Sequence, residues 1–266
     1  MMTFRERLHK AARDKDSWVC VGLDPDPAKL PRVGDVADEM LHFILDVIER
    51  TKDVACAYKP NAAFYDALGE PGYHVLQKVC ERAGRHAPVI LDAKRGDIGN
   101  TARAYAAWGF DQLRADAMTV SPYMGRDAVE PFLERADKAT FLLARTSNPG
   151  GADLQSLLLR SGEPLYEHVV KLAVRDWNER DNVGLVAGAT SPDELRRIRL
   201  LAGQDVLLLV PGVGAQGGSP EHAMRFGANE QGDNAIVNAS RSILYSTDPG
   251  KAAAQLRDEL NKFRPR

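Results

Sequence analysis

Asp92, Lys94 and Asp97 fall within the stretch Asp92-Ala93-Lys94-Arg95-Gly96-Asp97, directly after the apolar run Pro88-Val89-Ile90-Leu91. Alternate side chains of an extended strand share a face, so Asp92 and Lys94 are expected side by side, with Ala93 pointing the other way. An acid and an ammonium so placed form an ion pair. An ammonium in that position can stabilise a developing negative charge and then deliver a proton. Asp97 comes after Gly96 has turned the chain. It either joins the cluster or caps a helix starting near Asn100-Thr101-Ala102.

Other apolar runs end in chemistry-bearing residues too. The first ends in Asp24 and the second runs into Lys59-Pro60-Asn61. Later ends carry Ser121-Pro122-Tyr123, Arg145-Thr146-Ser147-Asn148 and Asn238-Ala239-Ser240-Arg241-Ser242. Pro211 leads into a Gly-rich segment, Gly212 to Gly218, which is expected to expose backbone N–H groups. Arg241, at the start of the last helix, adds a cation, and the two together point to phosphate. Each feature has an ordinary structural reading: a strand-end Asp as a cap, Lys59 as a solvated charge, the glycines as a turn. Jointly they put charge where a packed fold would otherwise bury unpaired ions at high cost.

The elements that must position these residues are eight apolar runs. They are Trp18–Leu23, Ala55–Tyr58, Pro88–Leu91, Ala117–Val120, Thr140–Ala144, Val183–Ala187, Val206–Val210 and Ala235–Val237. Continuous rather than alternating apolar character suits strands buried on both faces of a parallel sheet. The segments between them read as amphipathic helices: Asp38–Arg50 carries Met40, Phe43, Ile44 and Val47 on one face, and Leu165–Trp177 is similar. Ser191-Pro192 reads as an N-cap and first helical residue. Eight strand–helix pairs in this length predict an α/β fold, a (β/α)8 TIM barrel forming a single domain over residues 1–266, with chemistry at the C-terminal strand ends. A doubly wound open sheet is the competing architecture. Its dinucleotide fingerprint is missing from the first turn, Gly22-Leu23-Asp24-Pro25.

Composition narrows the function. Of 266 residues, 44% are hydrophobic and 27% charged, with a formal net charge of −2, so nothing argues for nucleic acid. Met1 to Lys10 is charged and unlike a signal peptide, and no run approaches the roughly 18 apolar residues of a membrane span. A soluble cytoplasmic protein is expected. Cys20, Cys56 and Cys80 read as buried packing thiols. None of the six histidines lies at a strand end, so a zinc site is not expected.

Leu91-Asp92-Ala93-Lys94-Arg95-Gly96-Asp97-Ile98-Gly99-Asn100-Thr101 resembles the signature of the orotidine 5′-phosphate decarboxylases, in their longer bacterial form. With Gly22-Leu23-Asp24, Lys59-Pro60-Asn61, Pro211 to Gly218 and Arg241-Ser242, the resemblance spans the chain. It implies a cofactor-free and metal-free enzyme and a homodimer with shared active sites. Lys59, Asp92, Lys94 and Asp97 would form an alternating charge network, Asp97 reaching into the other subunit's site with Ile98 and Thr101 beside it. Asp24 would bind ribose hydroxyls, Asn61 would lie beside Lys59, and Ser147 would contact the pyrimidine. Gln216, on a mobile lid after Pro211, and Arg241 would hold the phosphate, helped by backbone N–H groups near Ser240. Two local departures from the shorter members, Arg145 in place of an acid and a longer polar stretch from Gly227 to Asn234, bear on ring recognition and lid geometry.

The implied chemistry is loss of CO2 from C6 of orotate, with Lys94 protonating the carbanion. Two other readings are a sister barrel working on sugar phosphates through a metal-bound enediolate, and a non-catalytic barrel that binds nucleotide phosphate. The first calls for an additional acid near the strand ends, where the second strand offers Lys59. The second gives no reason to keep Lys59, Asp92, Lys94 and Asp97 together.

Overall fold

The apolar runs form strands β1 (Val19–Leu23), β2 (Ala57–Pro60), β3 (Ile90–Arg95), β4 (Ala117–Val120), β5 (Ala139–Arg145), β6 (Val183–Ala187), β7 (Leu207–Pro211) and β8 (Ala235–Ala239). This is the arrangement in a computed structural model that describes residues 2–30, 34–214 and 216–265. The strands hydrogen-bond in the order β2-β1-β8-β7-β6-β5-β4-β3, and every ladder is parallel. Between β2 and β3 the ring is completed by two isolated parallel bridges, Tyr58 to Val89 and Asn61 to Asp92. The sheet therefore closes on itself, and the open doubly wound alternative is set aside.

The helices are α1 (Phe4–Asp14), α2 (Val36–Thr51), α3 (Ala62–Asp66), α4 (Glu70–Gly84), α5 (Gly99–Ala107), α6 (Arg126–Leu133), α7 (Ala152–Gln155), α8 (Leu165–Arg175), α9 (Pro192–Ala202), α10 (Pro220–Gly227), α11 (Arg241–Leu244) and α12 (Pro249–Phe263). Helices outside and side chains inside bury β1, β2, β4, β6 and β8 at every position, which explains their unbroken apolar character. Helix α2 buries Met40, Ile44 and Val47 of the expected stripe and starts at Val36, where the Asp35 carboxylate accepts from the N–H groups of Ala37 and Asp38. Ser191 occupies the N-cap position of α9 with Pro192 next, but its side chain makes no capping bond.

Two features differ from the sequence reading. Ser240-Arg241-Ser242 does not open the last helix; it opens α11, a single turn. Pro249 lacks the N–H that a continuing helix needs, and the Asp248 carboxylate caps the separate α12 through Lys251 N–H. The charged N-terminal segment, in turn, is a helix, α1, started by a reciprocal Thr3–Glu6 capping box.

Helix α1 crosses the N-terminal ends of the strands. Phe4 N–H donates to the Asp137 carbonyl at 2.9 Å, just before β5. Arg7 pairs with Asp116 at 2.5 Å before β4, and His9 bonds Asn234 at 2.8 Å before β8. Arg5 reaches Asp181 at 3.2 Å, before β6. With the floor covered, the C-terminal mouth is left for chemistry. Among the described residues no helix is long and apolar enough to cross a membrane.

Candidate active site

The C-terminal strand ends surround a cavity of about 330 Å³. Asp24, Lys59, Asn61, Asp92, Lys94, Ser147, Pro211, Gln216, Ser240 and Arg241 all line it. Eight parallel strands ending at one rim bring together residues from β1, β2, β3, β5, β7 and β8 that lie far apart in sequence.

Asp92 is the centre of the polar wall. One carboxylate oxygen accepts from Lys59 Nζ at 2.8 Å. The other accepts from Lys94 Nζ at 2.6 Å and from the Thr119 hydroxyl at 2.8 Å. Lys59 is 4% exposed and Asp92 8%. Burial alone would push the Lys59 ammonium down, but the Asp24 and Asp92 carboxylates outweigh it and raise it above its ordinary value. Burial would likewise raise the Asp92 carboxyl, yet Lys59 and Lys94 hold it well below the usual carboxylate range. The pair is therefore fully ionised at neutral pH, and the Lys94 side chain, half exposed, projects from it into the cavity.

The expected Asp92–Lys94 ion pair is present, but simple strand alternation does not produce it. Lys94 has φ +47°, in the left-handed region that side chains other than glycine seldom adopt. The β3–β4 ladder shifts register between Leu91 and Arg95, and the Lys94 N–H bonds the Thr119 hydroxyl at 3.0 Å instead of a strand carbonyl. Thr119 was not singled out from the sequence. Its one signal is a hydroxyl inside the apolar run Ala117-Met118-Thr119-Val120.

Next along the rim, Ser240 Oγ donates to Asp24 Oδ2 at 2.6 Å, while Asp24 Oδ1 is buried without a partner among the described residues. Arg241 and Gln216 also line the cavity. Ala215 of the Gly-rich segment lies outside the described residues. The N–H groups of Gly214, Gly217 and Gly218 bond within the loop, so these three of the expected N–H donors are used by the turn itself. Gly212 is required there, at φ +99° with room for a Cβ only 3.0 Å from Ser147 Cβ. Arg241 and Gln216 bring a guanidinium and an amide side chain to the same cavity lining.

Ser147 is held from behind. Thr190 donates to the Ser147 carbonyl at 2.9 Å, and Gln155 accepts from Thr146 N–H at 2.9 Å. Arg145 turns away from the cavity, 3.1 Å from Glu194, and donates to the Thr146 carbonyl at 3.0 Å. Asn61 caps α3 through Ala63 N–H at 3.2 Å. The polar stretch Gly227–Asn234 lies at the barrel floor, where Arg199 donates to the carbonyls of Gly227 and Asn234.

Asp97, Ile98 and Thr101 are not among the residues lining this cavity. Asp97 accepts from its neighbour Ile98 N–H at 2.8 Å; Ile98, 51% exposed, takes the N-cap position of α5, so Asp97 is not that helix's cap. All three cysteines are buried and free, and burial raises each thiol, Cys56 and Cys80 to about 12. Among the described residues no group of three His, Cys, Asp or Glu is arranged to hold a metal ion.

Residues 17–256 match the family model described as Orotidine 5′-phosphate decarboxylase / HUMPS family. The chain belongs to that family. A curated orotidine 5′-phosphate decarboxylase of Herpetosiphon aurantiacus is 48% identical over 98% of this chain and 96% of its own length. The solved Leishmania donovani OMP decarboxylase is 41% identical with TM-score 0.89, covering 99% of both chains. The L. donovani UMP synthase structure gives TM-score 0.92 at 43% identity over 99% of this chain. This chain spans 57% of that longer protein.

Proposed function

We infer that the protein converts orotidine 5′-phosphate to UMP and CO2 without metal or cofactor. The observation that carries this reading is the Lys59–Asp92–Lys94 chain of charges in the wall of a cavity that Arg241 and Gln216 also line. The phosphate lies against Arg241 and Gln216, the ribose against Asp24, and the pyrimidine against Ser147. The bond from C6 to the carboxylate carbon breaks, its electron pair stays on C6, and CO2 departs. Lys94 stabilises that carbanion and then donates its proton to C6; solvent reprotonates the amine. The ion pairs are already fixed before substrate arrives, so little reorganisation accompanies the charge movement. A metal-bound enediolate is a poorer fit: Lys59, Lys94 and Thr119 already occupy the Asp92 oxygens a cation would use.

The same reading makes residues 1–266 one barrel domain and the working enzyme a cytoplasmic homodimer, with neither nucleic acid nor membrane as a partner. Asp97, Ile98 and Thr101 complete the site of a second copy; their position outside this chain's own cavity supports that role.

The test follows the absorbance of orotidine 5′-phosphate with EDTA present, for the parent and for Lys94→Ala. Turnover is expected in the parent and a loss of many orders of magnitude in a folded Lys94→Ala. Near-normal turnover in that variant, or parent activity abolished by EDTA and restored by a divalent metal, overturns the assignment.

A further inference from the structure

We propose that Thr119 is a positioning residue for the decarboxylation inferred above, its hydroxyl fixing the backbone and the ammonium of Lys94 relative to Asp92. The ladder pairs Leu91 with Met118 and Arg95 with Val120. Three β3 residues, Asp92, Ala93 and Lys94, are therefore opposed by Thr119 alone. A ladder with two residues too many on one side cannot serve every N–H. Lys94 N–H is the one whose bond goes to a side chain, Thr119 Oγ at 3.0 Å.

The hydroxyl in turn donates a hydrogen bond to Asp92 Oδ1 at 2.8 Å, the same oxygen that accepts from Lys94 Nζ at 2.6 Å. Lys94 is thereby held at both ends in one ring: backbone N–H to Thr119, Thr119 to Asp92, Asp92 to the ammonium. That ring compensates a left-handed lysine at φ +47°, a conformation an extended strand would abandon if the acceptor were removed.

Packing alone does not ask for a hydroxyl here. The neighbouring strands line the cavity with Leu143, Val186 and Leu209, and Thr119 itself is 1% exposed. Valine has nearly the same outline and differs by a methyl group in place of the hydroxyl. What valine lacks is the acceptor for Lys94 and the donor for Asp92.

The experiment compares the parent with Thr119→Val, Thr119→Ser and Thr119→Ala for kcat, for UMP affinity and for hydrogen–deuterium exchange of segment 90–98. Thr119→Val is expected to lower kcat about 10- to 100-fold, as misplacement of a reacting group does. UMP affinity should stay within about 2-fold, because ribose and phosphate contacts are untouched. Exchange in the segment should quicken. Thr119→Ser, which keeps the hydroxyl, should restore slow exchange and most of the rate. Should Thr119→Val not fold, Thr119→Ala adds no bulk and carries the same measurements. Unchanged exchange, kcat within about 2-fold of the parent, or kcat and UMP affinity falling together overturns the proposal. A parent without decarboxylase activity would sink the functional reading instead, and the exchange data would still judge the hold on Lys94.

Discussion

Ser240 and Asp24 are joined by a 2.6 Å hydrogen bond that exists only because position 22 has no side chain. A Cβ on Gly22 would stand 1.9 Å from Ser240 Oγ and 2.8 Å from its Cβ. Gly22→Ala is therefore expected to destabilise the protein by about 1–3 kcal/mol through overpacking. It should also raise KM roughly 10-fold by freeing the Asp24 carboxylate. Adding Ser240→Gly should recover the melting temperature but not KM, since the clash goes and the donor stays lost. Unchanged Tm and KM in Gly22→Ala would show that the two strand ends are not coupled.

The buried pair makes stability depend on pH in a defined direction. Asp92 is held below the ordinary carboxylate range, so its contribution is present above about pH 3.9 and is lost as pH falls below that. Lys59 is held above the ordinary ammonium range, so its contribution is present below about pH 10.4 and is lost as pH rises beyond it. Asp92→Asn should cost about 3–5 kcal/mol at pH 7, because Lys59 loses the partner it is bonded to. Urea titrations of both proteins at pH 7 and pH 3 should show that gap narrowing in acid. An equal gap at both pH values speaks against the assignment.

Asp97 contacts its own neighbour and not its own cavity, which predicts complementation. In the proposed homodimer, Lys94→Ala and Asp97→Ala should each leave the protein nearly inactive. Mixed after unfolding and refolding, they should recover about a quarter of parental activity, the share of sites that draw both residues intact from a random assortment. Hybrids shown to form yet lacking activity would place Asp97 in its own chain's site.

Cys20, Cys56 and Cys80 are buried and their thiols raised by burial. A thiol reagent at pH 8 should leave the native protein unmodified and label all three residues in guanidinium. Rapid native labelling of any of them would contradict the packing described.

The barrel could be read from the sequence because each strand is covered on both faces, which leaves an unbroken apolar run and a sharp polar end. Lys59, Asp92 and Lys94 stood out for that reason: charge directly after such a run is costly unless something there uses it. Thr119 did not, since a single threonine inside a strand satisfies β-branched packing as well as valine does. The left-handed Lys94 leaves no local mark either. Its cause is a mismatch in length between two strands, which neither strand encodes alone. Helix α1 carried a readable start at Thr3 and Glu6, but its role at the floor depends on loop ends more than a hundred residues away. The break before α12 was marked by Asp248-Pro249.

The ring of strands has one weak join, between β2 and β3, where two single bridges and the Tyr58 N–H to Pro88 carbonyl bond at 2.9 Å replace a ladder. Lys59 stands on one side of that join and Asp92 on the other. Their ion pair is thus a clasp on the barrel as well as part of its proposed chemistry. Whatever loosens the clasp lets the wall part at the cavity itself, and whatever fills the cavity draws the two edges together. Backbone exchange along Ala57–Asn61 should accordingly be the fastest among the strands in the empty protein, and should slow the most when UMP binds.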